Sequence, residues 1–404
     1  MPVEPVIRVA YFPDSFHEVN GVAHTSRQFQ EFARRRDWPF FCVRAGNRPE
    51  PLIVEGNLTT LEYPRGVFSV PLEKDLKFDP TWIGHLPSIV RYVGAFRPDV
   101  IHVTGPSEIG LLGSRIARWL RIPLAASWHT NLHEYAATRS RRLLNWLPQE
   151  RAGEWAGFIE RLALWLSIRF YRHAEVLFAP NPRLCDLLER RTRKRCLLMQ
   201  RGIDADLFSP ARRDREASDR DYVLGFVGRL SVEKNVRLLA KVQRELESQG
   251  IRNFRFRIVG HGSEEIWLRD HLPRAEFTGV LRGEALARAY AGMDLFVFPS
   301  HTDTFGNVVL EALASGVPAV VTPDGGPQSL VREGKTGLIA EDDGFSAAIA
   351  AILRDPVLHR NMGIAAREYA ASASWDAVFE GVYSAYRSVL PDRAVGQSRF
   401  RRAD

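Results

Sequence analysis

Asp303 and Glu311 are separated by seven residues in the stretch HTDTFGNVVLEALASGVPAV, residues 301–320. Between them a turn-like Thr-Phe-Gly-Asn leads into Val309, Leu310, Leu313 and Ala314, whose spacing predicts a helix starting near Gly306 or Asn307. The first amides of such a helix, at Gly306, Asn307 and Val308, are donors suited to an anion. Two carboxylates beside them suit a ligand with both anionic and hydroxyl-rich parts. The plainer alternatives are that Asp303 and Thr304 cap the helix and that Glu311 is a surface carboxylate.

A second constellation is FVGRLSVEKN, residues 226–235, where a strand ends at Gly228 and Arg229 and Lys234 follow within one loop. Asn235 is the expected N-cap of the next helix. Two cations at a helix N-terminus suit a diphosphate, through charge-assisted hydrogen bonds added to free amides; a solvated loop with surface charges is the alternative. His129 stands at another strand end, in ASWHTN, and GHG, residues 260–262, follows a further strand but is too short to be a dinucleotide fingerprint. DAD at 204–206 and DRD at 219–221 match an Asp-x-Asp metal pattern, but they fall in or beside a polar connection away from the strand ends. No catalytic metal is expected there.

These residues need elements to hold them. Short runs rich in Val, Ile and Phe alternate with helical periods, the pattern of a parallel sheet covered by helices. IRVAYF, FFCV, DVIHV, PLAAS and EVLFAP are strands of a first half; YVLGFVG, FRFRIVG, AEFTG, LFVFPS and PAVVT are strands of a second. The expected organisation is an N-terminal Rossmann-like domain over 1–205, a second over 206–374 with a linker at 206–220, and a C-terminal helix with a polar tail over 375–404, the helix packing back toward the first domain. Ligands of open α/β sheets bind outside the carboxyl ends of the strands, so the cleft between two such domains is the expected site.

The 404 residues exceed one ordinary core, and 45% hydrophobic with 25% charged composition is globular. Three cysteines without metal-ligand spacing argue for a reducing compartment, and the N-terminus reads as a first strand. A cytoplasmic protein is expected, peripheral on the inner face of the cytoplasmic membrane if it meets lipid. The net charge of +7 suits anionic partners, with Arg clusters at 34–36, 138–142, 189–195 and in the tail. No nucleic-acid motif accompanies it, so nucleic acid is not an expected partner. Trp155, Phe158, Ile159, Leu162 and Leu166 have the spacing of a buried helix face, yet tryptophans interleaved with arginines over 138–155 equally suit an anionic bilayer.

The chain resembles the retaining GT-B glycosyltransferases of glycosyltransferase family 4 over nearly its whole length. PSHTDTFGNVVLEALASGVPAVVT looks like the family's paired acidic residues, and FVGRLSVEKN, RGIDADLFSP, FTGVLRGEALARAYAGMDLFVFPS, ASWHTNLHEY and FPDSFHEVNGVAHTSRQF follow in family order. The resemblance implies an α/β GT-B fold, two Rossmann-like domains facing each other across a deep interdomain cleft. It implies a hexosyltransferase using a nucleotide sugar, GDP-mannose or a UDP-hexose, as co-substrate, with no further cofactor and a glycolipid or glycan acceptor. Arg229 and Lys234 would neutralise the leaving diphosphate with the amides near Gly306, Asn307 and Val308. Gly21 and Gly228 would let backbone approach the donor, Gly260, Val280, Leu281 and Phe305 would line its site, and Glu311 would bind ribose. Asp303 would hold the transferred sugar, while His129 and Asn131 would face the sugar and its acceptor.

The family usually has Glu where this chain has Asp303, a reach shorter by roughly 1.3 Å. Sugar contacts there are expected to be shifted, water-mediated or matched to one hexose. With no carboxylate placed as a nucleophile, same-face attack is expected, the departing phosphate helping to take the acceptor proton. Two alternatives are a UDP-hexose transferase acting on a soluble sugar and, outside enzymes, a nucleotide- or nucleic-acid-binding regulator with a vestigial site.

Overall fold

The computed structural model describes residues 6–18, 21–46, 51–66, 69–73, 76–129, 149–216 and 219–390. Asn131 and the basic stretches at 138–142 and in the tail lie outside them. The chain divides into two compact units, residues 1–200 with 379–404, and residues 201–378.

Unit 1 contains strands β1 (Val9–Phe12), β2 (Phe40–Ala45), β3 (Leu52–Glu55), β4 (Leu58–Tyr63), β5 (Val70–Glu73), β6 (Leu76–Phe78), β7 (Val100–Val103), β8 (Leu124–Ser127), β9 (Val176–Ala179) and β10 (Cys196–Leu198). Eight of them form one sheet in the order β10-β9-β8-β7-β1-β2-β4-β3, while β5 and β6 pair separately. Among the described strands of the large sheet β3 alone runs antiparallel, folded onto β4 by the hairpin turn at Gly56–Asn57. The central strands β1, β7, β8 and β9 are buried at every position, because helices cover both faces and no alternation is needed. Phe12, Phe41, Val43, Ile101 and Val103 belong to one core cluster of this unit.

The last helix, Trp375–Val389, adds its C-terminal part to unit 1. Phe379 stacks on Phe29 with ring centroids 4.5 Å apart, and Tyr383 lies 4.4 Å from Trp38. Burying aromatic rings at this spacing is a large apolar contribution, with a further ~0.5–1.5 kcal/mol per pair from ring geometry.

Unit 2 has an all-parallel sheet of β11 (Tyr222–Val227), β12 (Phe254–Val259), β13 (Glu276–Gly279), β14 (Leu295–Phe298), β15 (Ala319–Val321) and β16 (Gly337–Ile339), ordered β13-β12-β11-β14-β15-β16. Chain order runs outward from β11 in one direction and from β14 in the other, so the reversal falls between β11 and β14. In unit 1 it falls between β1 and β7. Such switch points leave a crevice at the strands' carboxyl ends. Gly260, just past β12, has φ +139, and a Cβ there would lie 1.9 Å from the Gly228 carbonyl oxygen. Only glycine lets these two strand ends lie so close.

Two expectations about helices need correcting. Asn235 does not cap the next helix: it takes a left-handed φ of 52° after the short turn Val232–Lys234, and the helix is Leu238–Ser248. Its amide side chain instead donates to Asp342 Oδ2 at 3.0 Å. The helix Gln149–Tyr171 does not bury its aromatic face either, since Trp155, Phe158, Leu162, Trp165 and Leu166 are all exposed.

Candidate functional site

The donor-site residues expected in unit 2 meet at its switch point. Arg229 and Lys234 follow β11, and Asp303 lies on the loop after β14. Lys234 Nζ is 2.6 Å from Asp303 Oδ1, an ion pair whose side chains are 15% and 26% exposed. That partial burial strengthens the attraction over what a surface pair would give. The Phe298 ring lies 5.9 Å from the same ammonium. Arg229 is more open and contacts Glu233 at 3.5 Å.

The loop carrying Asp303 is fastened from below. His301 sits between two carboxylates, Nδ1 2.9 Å from Asp324 and Nε2 3.1 Å from Asp342. The Gly326 amide donates to the Asp303 carbonyl at 2.6 Å. Asn235, through Asp342, ties the Lys234 turn to the same loop. These contacts fix the approach of Lys234 and Asp303 across 69 residues of sequence.

Beyond that loop the helix Asn307–Ala314 begins where the sequence predicts. Gly306 precedes it at φ +92, which favours glycine, and no side chain among the described residues caps the helix. Its first amides are therefore the unpaired donors with which every helix starts. Neither Asp303 nor Thr304 takes the capping role. Val308 is half-buried, while the Phe305 side chain is buried in the core, so Phe305 can meet a ligand through its backbone alone.

Glu311 is not a surface carboxylate. Tyr290, fully buried, donates its hydroxyl to Glu311 Oε2 at 2.8 Å. Burial raises the Glu311 pKa to about 7, the Tyr290 hydrogen bond opposing the rise. Gly228 and Gly260 lie at adjacent strand ends, with Val280 exposed and Leu281 half-buried just past β13.

Sequence reasoning missed Arg201, Tyr290 and His301. Arg201 was visible only as the first residue of RGID. Its guanidinium lies over Phe305 at 5.9 Å, and burial lowers its pKa to about 10 against the attraction of Asp303. Arg201 Nε is buried without a hydrogen-bond partner among the described residues. Asp303 thus has a cation at 2.6 Å and feels a second, half-buried one. The Asp-x-Asp residues have other work: Asp204 accepts the amides of Asp206 and Leu207, and Asp219 pairs with Arg215 and Arg255.

In unit 1, Gly21 opens the helix Gly21–Arg35. His129 lies two residues past β8, 7% exposed, with Nε2 2.8 Å from Ser127 Oγ. At the unit's switch point the Asp14 amide bonds Thr104 Oγ1 at 2.7 Å, and Asp14 accepts from the Ser107 hydroxyl at 2.5 Å. Burial raises Asp14 to about 6 and Glu108, 3.4 Å from Arg65, to about 7.

Two open, mainly parallel sheets, with polar and charged groups at their strand ends, define an α/β protein with two Rossmann-like domains. Sucrose-phosphate synthase from Thermosynechococcus elongatus has the same GT-B fold, with a TM-score of 0.68 at 20% identity over 95% of this chain and 98% of that one. Residues 19–207 match the family described as Glycosyltransferase Family 4, and residues 221–355 match Glycosyl transferases group 1. A GDP-mannose-dependent alpha-mannosyltransferase of Mycolicibacterium smegmatis is 33% identical over 96% of this chain and 99% of its own. Another of that name from Mycobacterium tuberculosis is 30% identical over 95% and 97%. The chain belongs to glycosyltransferase family 4 and is a glycosyltransferase that moves a hexosyl group.

Proposed function

We propose that the protein transfers mannose, with retention, from GDP-mannose to a hydroxyl of a glycolipid or glycan acceptor. The observation carrying this reading is the Lys234–Asp303 ion pair beside the uncapped start of the helix Asn307–Ala314. Lys234, Arg229 and the amides at Asn307 and Val308 receive the diphosphate. Fixed donors of this kind gain most as charge builds on the leaving group, which makes them the main lever on the rate. Arg201 supplies a further, half-buried cation whose buried Nε–H gains an acceptor when the donor binds.

Asp303 keeps Oδ1 on Lys234 and turns Oδ2 to the mannose hydroxyls, so its shorter reach is offset by a fixed position. Glu311, held by Tyr290, accepts the ribose hydroxyls. His129 acts on the transferred sugar, and the departing phosphate takes the acceptor proton on the same face. Thermal-shift titrations with GDP-, UDP- and ADP-sugars test the donor, because the tightest ligand stabilises most at equal concentration. A shift with UDP-hexoses and none with GDP-mannose would overturn the choice. Loss of transfer in an Arg229→Ala, Lys234→Ala double variant is expected; unchanged turnover would sink the diphosphate site.

The acceptor side is proposed to work at an anionic membrane surface. The exposed Trp155, Phe158, Leu162, Trp165 and Leu166 provide apolar insertion, with Arg161 and Arg169 exposed on the same helix. Arg169 lies 5.9 Å from the Trp165 ring. No helix among the described residues is long and apolar enough to cross a membrane. Flotation with anionic liposomes at low salt checks this; protein left at the bottom of the gradient would refute it.

A further inference from the structure

Four buried polar groups in unit 1 form a line ending at His129. The Tyr386 hydroxyl bonds His102 Nδ1. His102 Nε2 lies 2.9 Å from Ser127 Oγ, which lies 2.8 Å from His129 Nε2. Tyr386 and His102 are fully buried, Ser127 is 1% exposed and His129 is 7% exposed. Bulk solvent therefore does not reach the inner three.

Counting protons along the line fixes its direction. Burial lowers the His102 pKa to about 3, so its ring is neutral and carries a single N–H. Burial also pushes the Tyr386 hydroxyl well above its ordinary range, so it keeps its proton. Among the described residues that hydroxyl has no hydrogen-bond partner except His102, and Ser127 Oγ has none except the two histidines. A buried O–H without an acceptor is strongly disfavoured. Tyr386 must therefore donate to His102 Nδ1, which puts the His102 proton on Nε2, directed at Ser127. Ser127 can then place its own proton only on His129 Nε2.

We propose that Tyr386, His102 and Ser127 are positioning residues that hold His129 in the tautomer protonated at Nδ1. The reverse order would strand the Tyr386 proton, and a doubly accepting Ser127 would strand the serine proton. Either costs enough to bias the tautomers by roughly 5- to 150-fold. His129 then presents Nδ1–H as a hydrogen-bond donor, and its Nε2 is occupied and cannot accept a proton from an acceptor hydroxyl. That division of labour rests on the reading of His129 given above: the histidine donates to an oxygen of the sugar, and the phosphate removes the proton.

Ring-nitrogen correlations in protein carrying isotope-labelled histidine, without substrate, report the tautomer directly. The His129 signal is identified by its loss in His129→Gln. In the wild type His129 is expected as the Nδ1–H form. Tyr386→Phe removes the terminal donor, leaves one orphan group in either direction, and is expected to give a mixture of both forms. Tyr383→Phe serves as the control, because among the described residues its buried hydroxyl has no hydrogen-bond partner and its loss should leave the His129 signal unchanged. Ser127→Ala, which breaks the line at its last link, is expected to release His129 as Tyr386→Phe does. An Nε2–H form in the wild type, or a ratio that neither Tyr386→Phe nor Ser127→Ala alters, would overturn the relay. Transfer kinetics then separate the two ideas. A moved tautomer ratio with kcat lowered roughly twofold, in proportion to population, supports both. A moved ratio with kcat unchanged upholds the relay and overturns the role given to His129.

Discussion

Replacing Tyr290 with Phe removes one hydroxyl and leaves the ring packing in place, which isolates its hydrogen bond to Glu311. The bond measures 2.8 Å and serves a half-buried carboxylate whose pKa already stands at about 7. A hydrogen bond to a charged group contributes ~1.5–3 kcal/mol, equivalent to roughly one to two pKa units. The Glu311 pKa in the variant is therefore expected at roughly 8 to 9. At about pH 7.5 the ionised fraction falls from roughly three-quarters to between a quarter and a thirtieth. If ribose hydroxyls bind the ionised form, GDP affinity drops roughly 3- to 25-fold there and recovers to within about 1.5-fold near pH 9.5. Calorimetric titration of GDP across this range with wild type and variant in parallel reads the midpoint, because the ratio of the two affinities cancels any ionisation of the nucleotide itself. A loss that does not change with pH, or an unmoved midpoint, would refute the assignment of Glu311 as an ionised ribose acceptor. Stability supplies an independent sign. The folded pKa lies above the ordinary 4.5, so the contribution of protonated Glu311 is full below 4.5 and is lost as pH rises through about 7. Ligand-free protein should accordingly melt lower at pH 8 than at pH 5 by an amount that Glu311→Gln removes.

Arg201→Met should leave the ligand-free melting temperature unchanged or raised, since it removes a cation held in place at a desolvation cost, yet weaken GDP-mannose binding tenfold or more by order of magnitude; equal affinity would show that Arg201 does not touch the donor. Gly260→Ala should destabilise unit 2 by about 2–4 kcal/mol, from a φ of +139 and a Cβ placed 1.9 Å from the Gly228 carbonyl oxygen, and a denaturation midpoint equal to wild type would contradict that geometry. Trp155→Ser with Trp165→Ser should change stability by less than about 1 kcal/mol in total while abolishing liposome flotation, whereas a large loss of stability would mean that the face is covered.

The strands of both sheet centres were legible because burial on two faces demands short unbroken apolar runs, and LFVF and VLFA can hardly be anything else. The start of the helix at Asn307 was legible for a related reason: Gly306 must precede it, and the apolar spacing follows at once. Edge elements were harder. β3 and β4 carry a Gly-Asn hairpin signal that could have been used, but β10 and β16 are three residues long and have no pattern to show. The face at Trp155 has the periodicity of a buried helix and is exposed, because periodicity reports amphipathicity and not what lies opposite.

Sequence alone therefore determined the chemical inventory and the two-domain α/β class, since residue type and local period are properties of the chain itself. Which groups meet was decided only by tertiary structure. Lys234 and Asp303 are 69 residues apart, and His102 and Tyr386 are 284 apart. Lys234 and Asp303 meet because parallel strands in register bring loops from separate βα units to one end of the sheet, whereas His102, within β7, meets Tyr386 because the last helix brings its hydroxyl to that strand. Burial follows from the same packing, and burial raises Glu311, lowers Arg201 and keeps His102 neutral. Charge state and proton direction are thus consequences of the fold, carried by residues whose types the sequence had already supplied.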